Sequence, residues 1–91
     1  MHKIYWTNTA VKSYSSILAR TASFEQKLDQ VLNIIQKFPT SFPFDETRKA
    51  HKAVINKRNI LYYDVYPNNI IYLILFFDTK MDTEKLKKLL L

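Results

Sequence analysis

The chain contains no cysteine and no glycine, and it has only two histidines, His2 and His51. The lack of cysteine excludes disulfides, thiolate nucleophiles and thiolate metal sites. Two histidines so far apart in the sequence do not form the ligand pattern of a zinc site, and we expect neither a metal nor another cofactor. The lack of glycine means that any turn needing a positive φ must use another residue, for which asparagine is best suited.

Long hydrophobic runs are also missing from the chain. The longest, residues 70–77, is less than half the length of about 20 residues that a membrane-spanning helix needs. Residues 3–6 have the pattern of a strand, so the N-terminus does not read as a signal peptide. We therefore expect a cytoplasmic protein that makes no membrane contact.

The composition is that of a folded protein. Hydrophobic residues make up 47% of the 91 residues, charged residues 24% and aromatic residues 14%, an aromatic fraction well above that of disordered chains. A chain of this length has room for one core of modest size. We predict a single domain spanning residues 1–91.

Positive charge is concentrated in the second half of the chain. The formal net charge is +6, and residues 47–91 carry nine basic and four acidic side chains, whereas residues 1–46 carry five and four. A run without any acidic residue contains Arg48, Lys49, Lys52, Lys57 and Arg58. Such clusters bind phosphates through counterion release, so RNA, DNA or an acidic protein segment are natural partners. The alternative is an ordinary solvated surface.

A β-hairpin is the clearest pattern in the sequence. Two strand-like runs, residues 60–66 and 70–77, flank Pro67, Asn68 and Asn69. A two-residue loop would require Pro67 to donate a ladder hydrogen bond, which proline cannot do, so a three-residue loop is predicted. Pro67 would then occupy the first central position of a type I turn, and Asn69 the left-handed position.

This register divides the hairpin side chains between two faces of the sheet, because alternate residues point to opposite sides. One face is predicted to join the core, and the other is free to meet a partner. The core side comprises Leu61, Tyr63, Val65, Ile71, Leu73, Leu75 and Phe77, and the other side comprises Tyr62, Asp64, Tyr66 and Tyr72.

Two helices are predicted before the hairpin. Apolar residues at helical spacing mark the first over residues 10–20, after candidate caps at residues 7–9. Ser23 and Gln26 have the form of a capping box at the start of the second helix. Its apolar stripe comprises Phe24, Leu28, Val31, Ile35 and Phe38.

The remaining segments complete an α+β pattern. Residues 3–6 and 48–55 are predicted strands, and residues 39–47 form a loop that tucks Phe42 and Phe44 against the core. A short amphipathic helix begins at Asp82 or Thr83. The element order is β-α-α-β-β-β-α: an N-terminal strand, a helical hairpin, a three-stranded antiparallel meander and a short C-terminal helix.

This order, together with three stretches of sequence, resembles the RelE/ParE superfamily of toxins from bacterial type II toxin-antitoxin modules, some of which are called plasmid stabilisation proteins. The stretches are Lys3-Ile-Tyr-Trp-Thr-Asn-Thr-Ala10, Phe38-Pro39, and the hairpin with the sequence that leaves it, Asp78-Thr-Lys80-Met-Asp-Thr-Glu-Lys-Leu86. The resemblance spans nearly the whole chain. It implies a RelE/ParE-like fold and a cognate acidic antitoxin bound in a hetero-oligomer.

The resemblance implies two possible mechanisms. RelE-like members cut messenger RNA on the ribosome with a basic, metal-free constellation, whereas ParE-like members inhibit DNA gyrase and lack that constellation. The candidate catalytic residues here are Lys52, Arg58 (with Lys57 as its alternative) and Lys80. Lys80 stands where RelE-like members commonly carry arginine, Arg58 is displaced by two residues from the usual position, and no tyrosine or histidine follows Lys80. We expect a ParE-like, non-nucleolytic action, with RelE-like cleavage or an inactive basic binding module as alternatives.

Further residues are predicted to bind nucleic acid or antitoxin, namely Arg48, Lys49, Lys57, Tyr62, Tyr66 and Tyr72. The tyrosines could stack on nucleobases, although tyrosines on such a face more often cover the sheet. Asp64 lies among them and would repel phosphate. His51 could act as an acid or base, but as the neighbour of Lys52 on a strand it should face the opposite way.

Overall fold

The computed structural model describes residues 2–18 and 23–79. Within these residues the elements are β1 (Lys3–Trp6), α1 (Asn8–Leu18), α2 (Phe24–Lys37), β2 (Phe44–Asp45), β3 (Ala50–Val54), β4 (Asn59–Tyr66) and β5 (Ile70–Asp78). The strands form one sheet in the order β1-β5-β4-β3-β2. β1 runs parallel to β5, and the other neighbours are antiparallel.

The α+β class is confirmed, but the sheet differs from the prediction in the number and order of its strands. Phe44 and Asp45, predicted as loop, pair with His51 and Ala50 and add a strand at one edge. β1 adds a parallel strand at the other edge, beyond β5. Arg48 belongs to the turn before β3 rather than to the strand. The helix predicted from residue 82 or 83 lies outside the described residues.

α1 begins at Asn8, directly after Thr7, which is one of the predicted caps. The Thr7 side-chain Oγ1 accepts a hydrogen bond from the N–H of Ala10 at 3.1 Å, which caps the first turn. Ala10 and Ile17 then face the core, and Tyr14 is half-buried beside them.

The apolar stripe of α2 is confirmed for Phe24, Leu28, Val31 and Ile35, which are all buried. Phe38, predicted as its last member, follows the helix and is 65% exposed. The predicted capping box is wrong, because Ser23 precedes the helix but makes no side-chain cap hydrogen bond. The helix is therefore stabilised mainly by its buried face.

The loop between β4 and β5 has the predicted three residues, since Tyr66 pairs with Ile70. Asn69 takes the left-handed conformation with a φ of 62°, as expected in a chain without glycine. Asn68 is also left-handed, with a φ of 67°. The predicted type I turn is therefore wrong, because its second central residue requires a negative φ.

A β-bulge in β5 changes which side chains reach the core. Tyr63 pairs with Leu73, but Tyr62 pairs with Leu75, so Ile74 is an extra residue in β5. Alternation is interrupted there, and Phe76 joins the core. The prediction that Leu75 and Phe77 share the core face is wrong, since both pack on the opposite side of the sheet.

Side chains of the first helix and its cap satisfy the backbone around this bulge. The Thr7 Oγ1 lies 2.9 Å from the carbonyl oxygen of Leu73 and 3.0 Å from that of Ile74. The Ser13 Oγ accepts a hydrogen bond from the N–H of Phe76 at 3.0 Å. These contacts replace ladder bonds that the extra residue disrupts, and they tie α1 to β5.

Two apolar clusters lie on the two faces of the sheet. The main core, between sheet and helices, is built from Ala10, Ile17, Phe24, Leu28, Val31, Ile35, Ala53, Ile55, Leu61, Tyr63, Ile71, Leu73 and Phe76. A smaller cluster on the other face comprises Ala50, Tyr62 and Leu75, with Ile60, Ile74 and Phe77 packed against it. Phe42 packs against the main core as predicted. Phe44 does not, and 44% of it is exposed.

Leu28→Ala should lower the free energy of unfolding by about 2 to 4 kcal/mol, because Leu28 is 3% exposed at the centre of the α2 stripe. The matched control is Ile34→Ala on the same helix, where the side chain is 43% exposed and the expected change is within about 0.5 kcal/mol. Urea unfolding of both variants checks the prediction. Equal losses would mean that α2 does not pack on the sheet through this stripe.

Candidate functional site

The predicted binding residues lie mainly on the sheet face that points away from α1 and α2, which we call the distal face. On this face Lys52 of β3 stands opposite Tyr62 of β4. The guanidinium carbon of Arg48 lies 5.9 Å from the centre of the Tyr62 ring, within the range of a cation–π contact. The fold thus brings Arg48 and Lys52 together around one tyrosine.

A carboxylate positions Arg48 in the turn between β2 and β3. The Asp45 Oδ1 accepts hydrogen bonds from the N–H groups of Thr47 at 3.0 Å and Arg48 at 3.2 Å. The Asp45 Oδ2 lies 3.3 Å from a guanidinium nitrogen of Arg48. Desolvation raises the pKa of Asp45, but these N–H groups and the charge of Arg48 outweigh it, so the pKa lies below its ordinary value.

Lys49 follows in the same turn with a φ of 54°, a left-handed conformation that costs a residue with a Cβ about 1 kcal/mol or more. Its side chain is exposed. The turn therefore holds one cation against the sheet, Arg48, and presents a second to solvent.

Arg58 and Lys57 occupy the turn between β3 and β4, at the opposite end of the strands. The Asn56 Oδ1 shapes this turn by accepting hydrogen bonds from the N–H groups of Arg58 and Asn59 at 2.9 and 3.0 Å. The guanidinium of Arg58 lies 3.5 Å from the Asp78 carboxylate, which is 8% exposed. Lys57 is exposed and has no carboxylate partner within the described part of the chain.

Of the three residues predicted as catalytic, the two that the structure describes, Lys52 and Arg58, lie apart on the sheet. Arg58 precedes Tyr62, the residue opposite Lys52, by four positions, which is about 13 Å along a strand. Its guanidinium is directed to Asp78 rather than to the distal face near Lys52. Lys80 lies outside the described residues. The hypothesis that these side chains act on RNA stays a prediction.

The predicted tyrosines fall into two different environments. Tyr62 is 2% exposed, so its ring is not open to a nucleobase, and its burial raises the pKa of its hydroxyl. Tyr66 and Tyr72 are 48% and 37% exposed and meet edge to face at 5.1 Å. Tyr5 extends this aromatic patch, with its ring centre 5.6 Å from that of Tyr72.

Negative charge accompanies the exposed aromatic patch. Asp64 pairs with Tyr72 across the strands, and its charge raises the pKa of Tyr66. A phosphate backbone would be repelled by Asp64 and attracted by Arg48 and Lys52. Since Tyr63 pairs with His51, Asp64 lies at the same end of β4 as the turn that holds Arg48, and the distal face carries both signs of charge there.

His51 lies on the helix side of the sheet, opposite in direction to Lys52, as strand alternation predicts. Its Nδ1 is 2.9 Å from the carbonyl oxygen of Phe42, and its ring stacks on Tyr63 at 5.1 Å. Phe44 meets the ring edge to face at 5.2 Å. These contacts give His51 a packing role and separate it from the cations of the distal face.

A second concave site, which the sequence analysis did not single out, lies between α1 and α2 at the end of β1. This helical groove has a volume of about 330 Å³. Its described lining residues are Trp6, Val11, Tyr14, Glu25, Leu28, Asp29 and Leu32. One signal in the sequence could have revealed it, since Glu25 and Asp29 stand one helical turn apart beside Leu28 of the apolar stripe.

Within residues 2–18 and 23–79, no helix has the length and apolarity needed to cross a membrane. The same residues contain no group of three histidine, aspartate or glutamate side chains placed to hold a metal ion.

No protein-family model matches the sequence, and no curated protein matches it either. The resemblance to the RelE/ParE superfamily is therefore a hypothesis that depends on the residues and element order of this chain.

Tyr63 is expected to lower the free energy of unfolding of the protein at alkaline pH. It is fully buried, its hydroxyl donates to the carbonyl oxygen of Pro39 at 2.6 Å, and burial raises its pKa from 10.0 to about 12. Because the pKa of Tyr63 is higher in the folded than in the unfolded protein, the stability that this residue contributes is fully present below pH 10 and is lost as the pH rises towards 12. The share of this one residue is about 2 to 3 kcal/mol.

Unfolding by urea between pH 8 and 12 measures this loss. Tyr63→Phe should flatten the alkaline decline, while Tyr5→Phe, which changes a tyrosine that is 45% exposed, should leave it as in the parent. An identical decline in Tyr63→Phe and the parent would contradict the assignment.

Proposed function

We propose that this protein is a cytoplasmic growth-inhibiting toxin of a type II toxin-antitoxin module in the RelE/ParE superfamily. Its action is ParE-like, through binding to a target such as DNA gyrase, and not through RNA cleavage. A cognate acidic antitoxin neutralises it in a hetero-oligomer.

The architecture supports membership of the superfamily. A helical pair covers one face of a mainly antiparallel sheet, and the first strand lies beside the last described strand. This is compatible with the β-α-α-β-β-β-α order that the resemblance implies. Fold alone does not separate the two mechanisms, because both occur on the same scaffold.

The arrangement of the cations carries the preference for a non-nucleolytic action. Metal-free cleavage of RNA needs a group that removes the 2′-hydroxyl proton, a cation at the phosphate and an acid for the leaving oxygen, all within reach of one phosphodiester. Lys52 and Arg58 are separated along the sheet, and Arg58 is paired with Asp78. His51 faces the opposite side of the sheet. Binding to a protein target does not require these groups to converge on one point.

Charge supports an acidic antitoxin as partner. Lys49 and Lys57 are exposed at the two ends of β3 and lack a described carboxylate partner. Lys52 and Arg48 lie between them on the distal face. An acidic segment lying along β3 would meet these cations in turn, with affinity that falls as salt rises.

RelE-like cleavage is a second candidate because Arg48 and Lys52 do converge at Tyr62. The Nε of Arg48 is buried and has no hydrogen-bond partner among the described residues, but the side chain as a whole is 25% exposed, so its guanidinium can donate to a phosphate oxygen from the solvent side. Paired cations of this kind suit an oxyanion in a transition state. In a third alternative, a catalytically inactive basic binding module, Arg48 and Lys52 bind an anionic partner without catalysing a reaction.

Induced expression of the chain alone should arrest bacterial growth, and co-expression of a short acidic protein encoded by the neighbouring gene should restore it. Growth curves and colony counts measure both effects. Lys49→Glu/Lys57→Glu should weaken the rescue, because it reverses charges that face the antitoxin. The matched control is Lys27→Glu/Lys37→Glu, the same change at two exposed lysines of α2. Normal growth at high soluble expression would refute the toxin proposal.

Purified protein should inhibit DNA supercoiling by gyrase and leave ribosome-bound messenger RNA intact. Primer extension on ribosome-bound message tests the second half. Codon-phased cuts that disappear in Lys52→Ala but persist in Lys27→Ala would establish the RelE-like alternative instead. In that case the loss in rate should be about a hundredfold or more, the scale for removal of one preorganised electrostatic group.

A further inference from the structure

The helical groove between α1 and α2 combines exposed apolar and aromatic side chains with two carboxylates. Val11 is 48% exposed and Trp6 37%, and both line the groove beside Leu28 of the main core. Leu28 and Leu32 lie at its base, the former buried and the latter half-buried. Exposed apolar side chains that line a concavity mark a surface on which another chain can pack.

The aromatic rings of the groove are held in fixed positions. Trp6 meets Tyr14 edge to face at 5.2 Å and Phe76 at 5.4 Å. The Tyr14 hydroxyl donates a hydrogen bond to the Glu25 carboxylate. The electron-rich ring faces and the carboxylate are thus ordered before any partner arrives, which reduces the entropic cost of binding.

The two carboxylates lack a cation within the described residues. Asp45 pairs with Arg48 and Asp78 with Arg58, but neither Glu25 nor Asp29 forms an ion pair with a described basic side chain. They stand four residues apart on α2, where like charges repel each other. The Tyr14 hydroxyl satisfies part of Glu25, and Asp29 remains exposed beside it. A positive charge placed between them would relieve this repulsion.

These features determine which chemical groups a bound partner would need in order to fit the helical groove. In a chain with a formal net charge of +6, a negatively charged groove is a local exception. A guanidinium suits it better than an ammonium, because its planar fork can donate to carboxylates while its face lies against an indole. The apolar base calls for leucine-like side chains at helical spacing on the same segment.

We propose that the helical groove is a docking site for an amphipathic helix of a partner protein, which inserts an arginine side chain between Glu25, Asp29 and Trp6 and packs its apolar face on Val11 and Leu32. This site differs from the distal face in position and in the sign of its charge. The inference does not depend on the proposed function.

Trp6 is the single tryptophan of the chain, so its fluorescence reports directly on the groove. The probe is a capped alanine-based helical peptide of about 16 residues, long enough to hold helical structure, with leucines at spacings of three and four and one arginine between them. Matched peptides replace the arginine by citrulline, which keeps the shape but loses the charge, or by glutamate. None of the three peptides contains tryptophan or tyrosine.

The arginine peptide should shift the Trp6 emission and bind at least about tenfold more tightly than the citrulline peptide, with the glutamate peptide weakest. Glu25→Gln/Asp29→Asn should abolish the preference for arginine over citrulline. The control Glu46→Gln/Asp64→Asn removes two carboxylates remote from the groove and should retain the preference. Amide shift perturbations in an NMR titration should map to α1 and α2.

Four results would overturn the proposal. These are equal affinity for the three peptides, tighter binding of the glutamate peptide, a preference for arginine that survives in Glu25→Gln/Asp29→Asn, and no binding of the arginine peptide at millimolar concentration. Concentration-dependent dimerisation of the chain alone that shifts Trp6 emission and is lost in Glu25→Gln/Asp29→Asn would also overturn it, since the occupant would then be a second copy.

Discussion

The β-bulge at Ile74 is the constraint on which the rest of the sheet depends. One extra residue in β5 sends Phe76 into the main core and turns Leu75 and Phe77 to the distal face. A bulge leaves backbone groups without ladder partners, and here the hydroxyls of Thr7 and Ser13 supply those partners. The same hydrogen bonds dock α1 on β5, so the helix position and the strand register stabilise each other.

The bulge also decides the character of the distal face. Because Leu75 and Phe77 lie there beside Tyr62 and Ala50, this face has an apolar cluster of its own. Arg48 and Lys52 stand at its margin, over and opposite Tyr62. The predicted binding surface is therefore a cationic border around packed apolar side chains, and Tyr62 supports it from beneath instead of offering a ring to a ligand.

Charge separates the two candidate surfaces. The distal face carries Arg48, which is paired with Asp45, and Lys52, which has no carboxylate partner among the described residues, whereas the helical groove carries the carboxylates of Glu25 and Asp29. A partner that met both surfaces would need an acidic stretch and an arginine in different parts of its chain. Such opposed requirements give more specificity than either surface does alone, because a partner of uniform charge is repelled at one of them.

The sequence by itself determined the α+β class, the buried stripe of α2, the three-residue loop at Pro67 and the opposite directions of His51 and Lys52, because each follows from local periodicity or backbone chemistry. It also located the cations but not their pairing. Only the tertiary structure decided the bulge, since Thr7 and Ser13 are more than 60 residues distant from the groups they bind. It likewise decided the salt bridge of Arg58 to Asp78 and the assembly of Trp6, Tyr14 and Glu25 into a groove. Contacts between residues far apart in the chain leave no periodic trace in a single sequence, and that is the physical reason these features had to be seen in the fold.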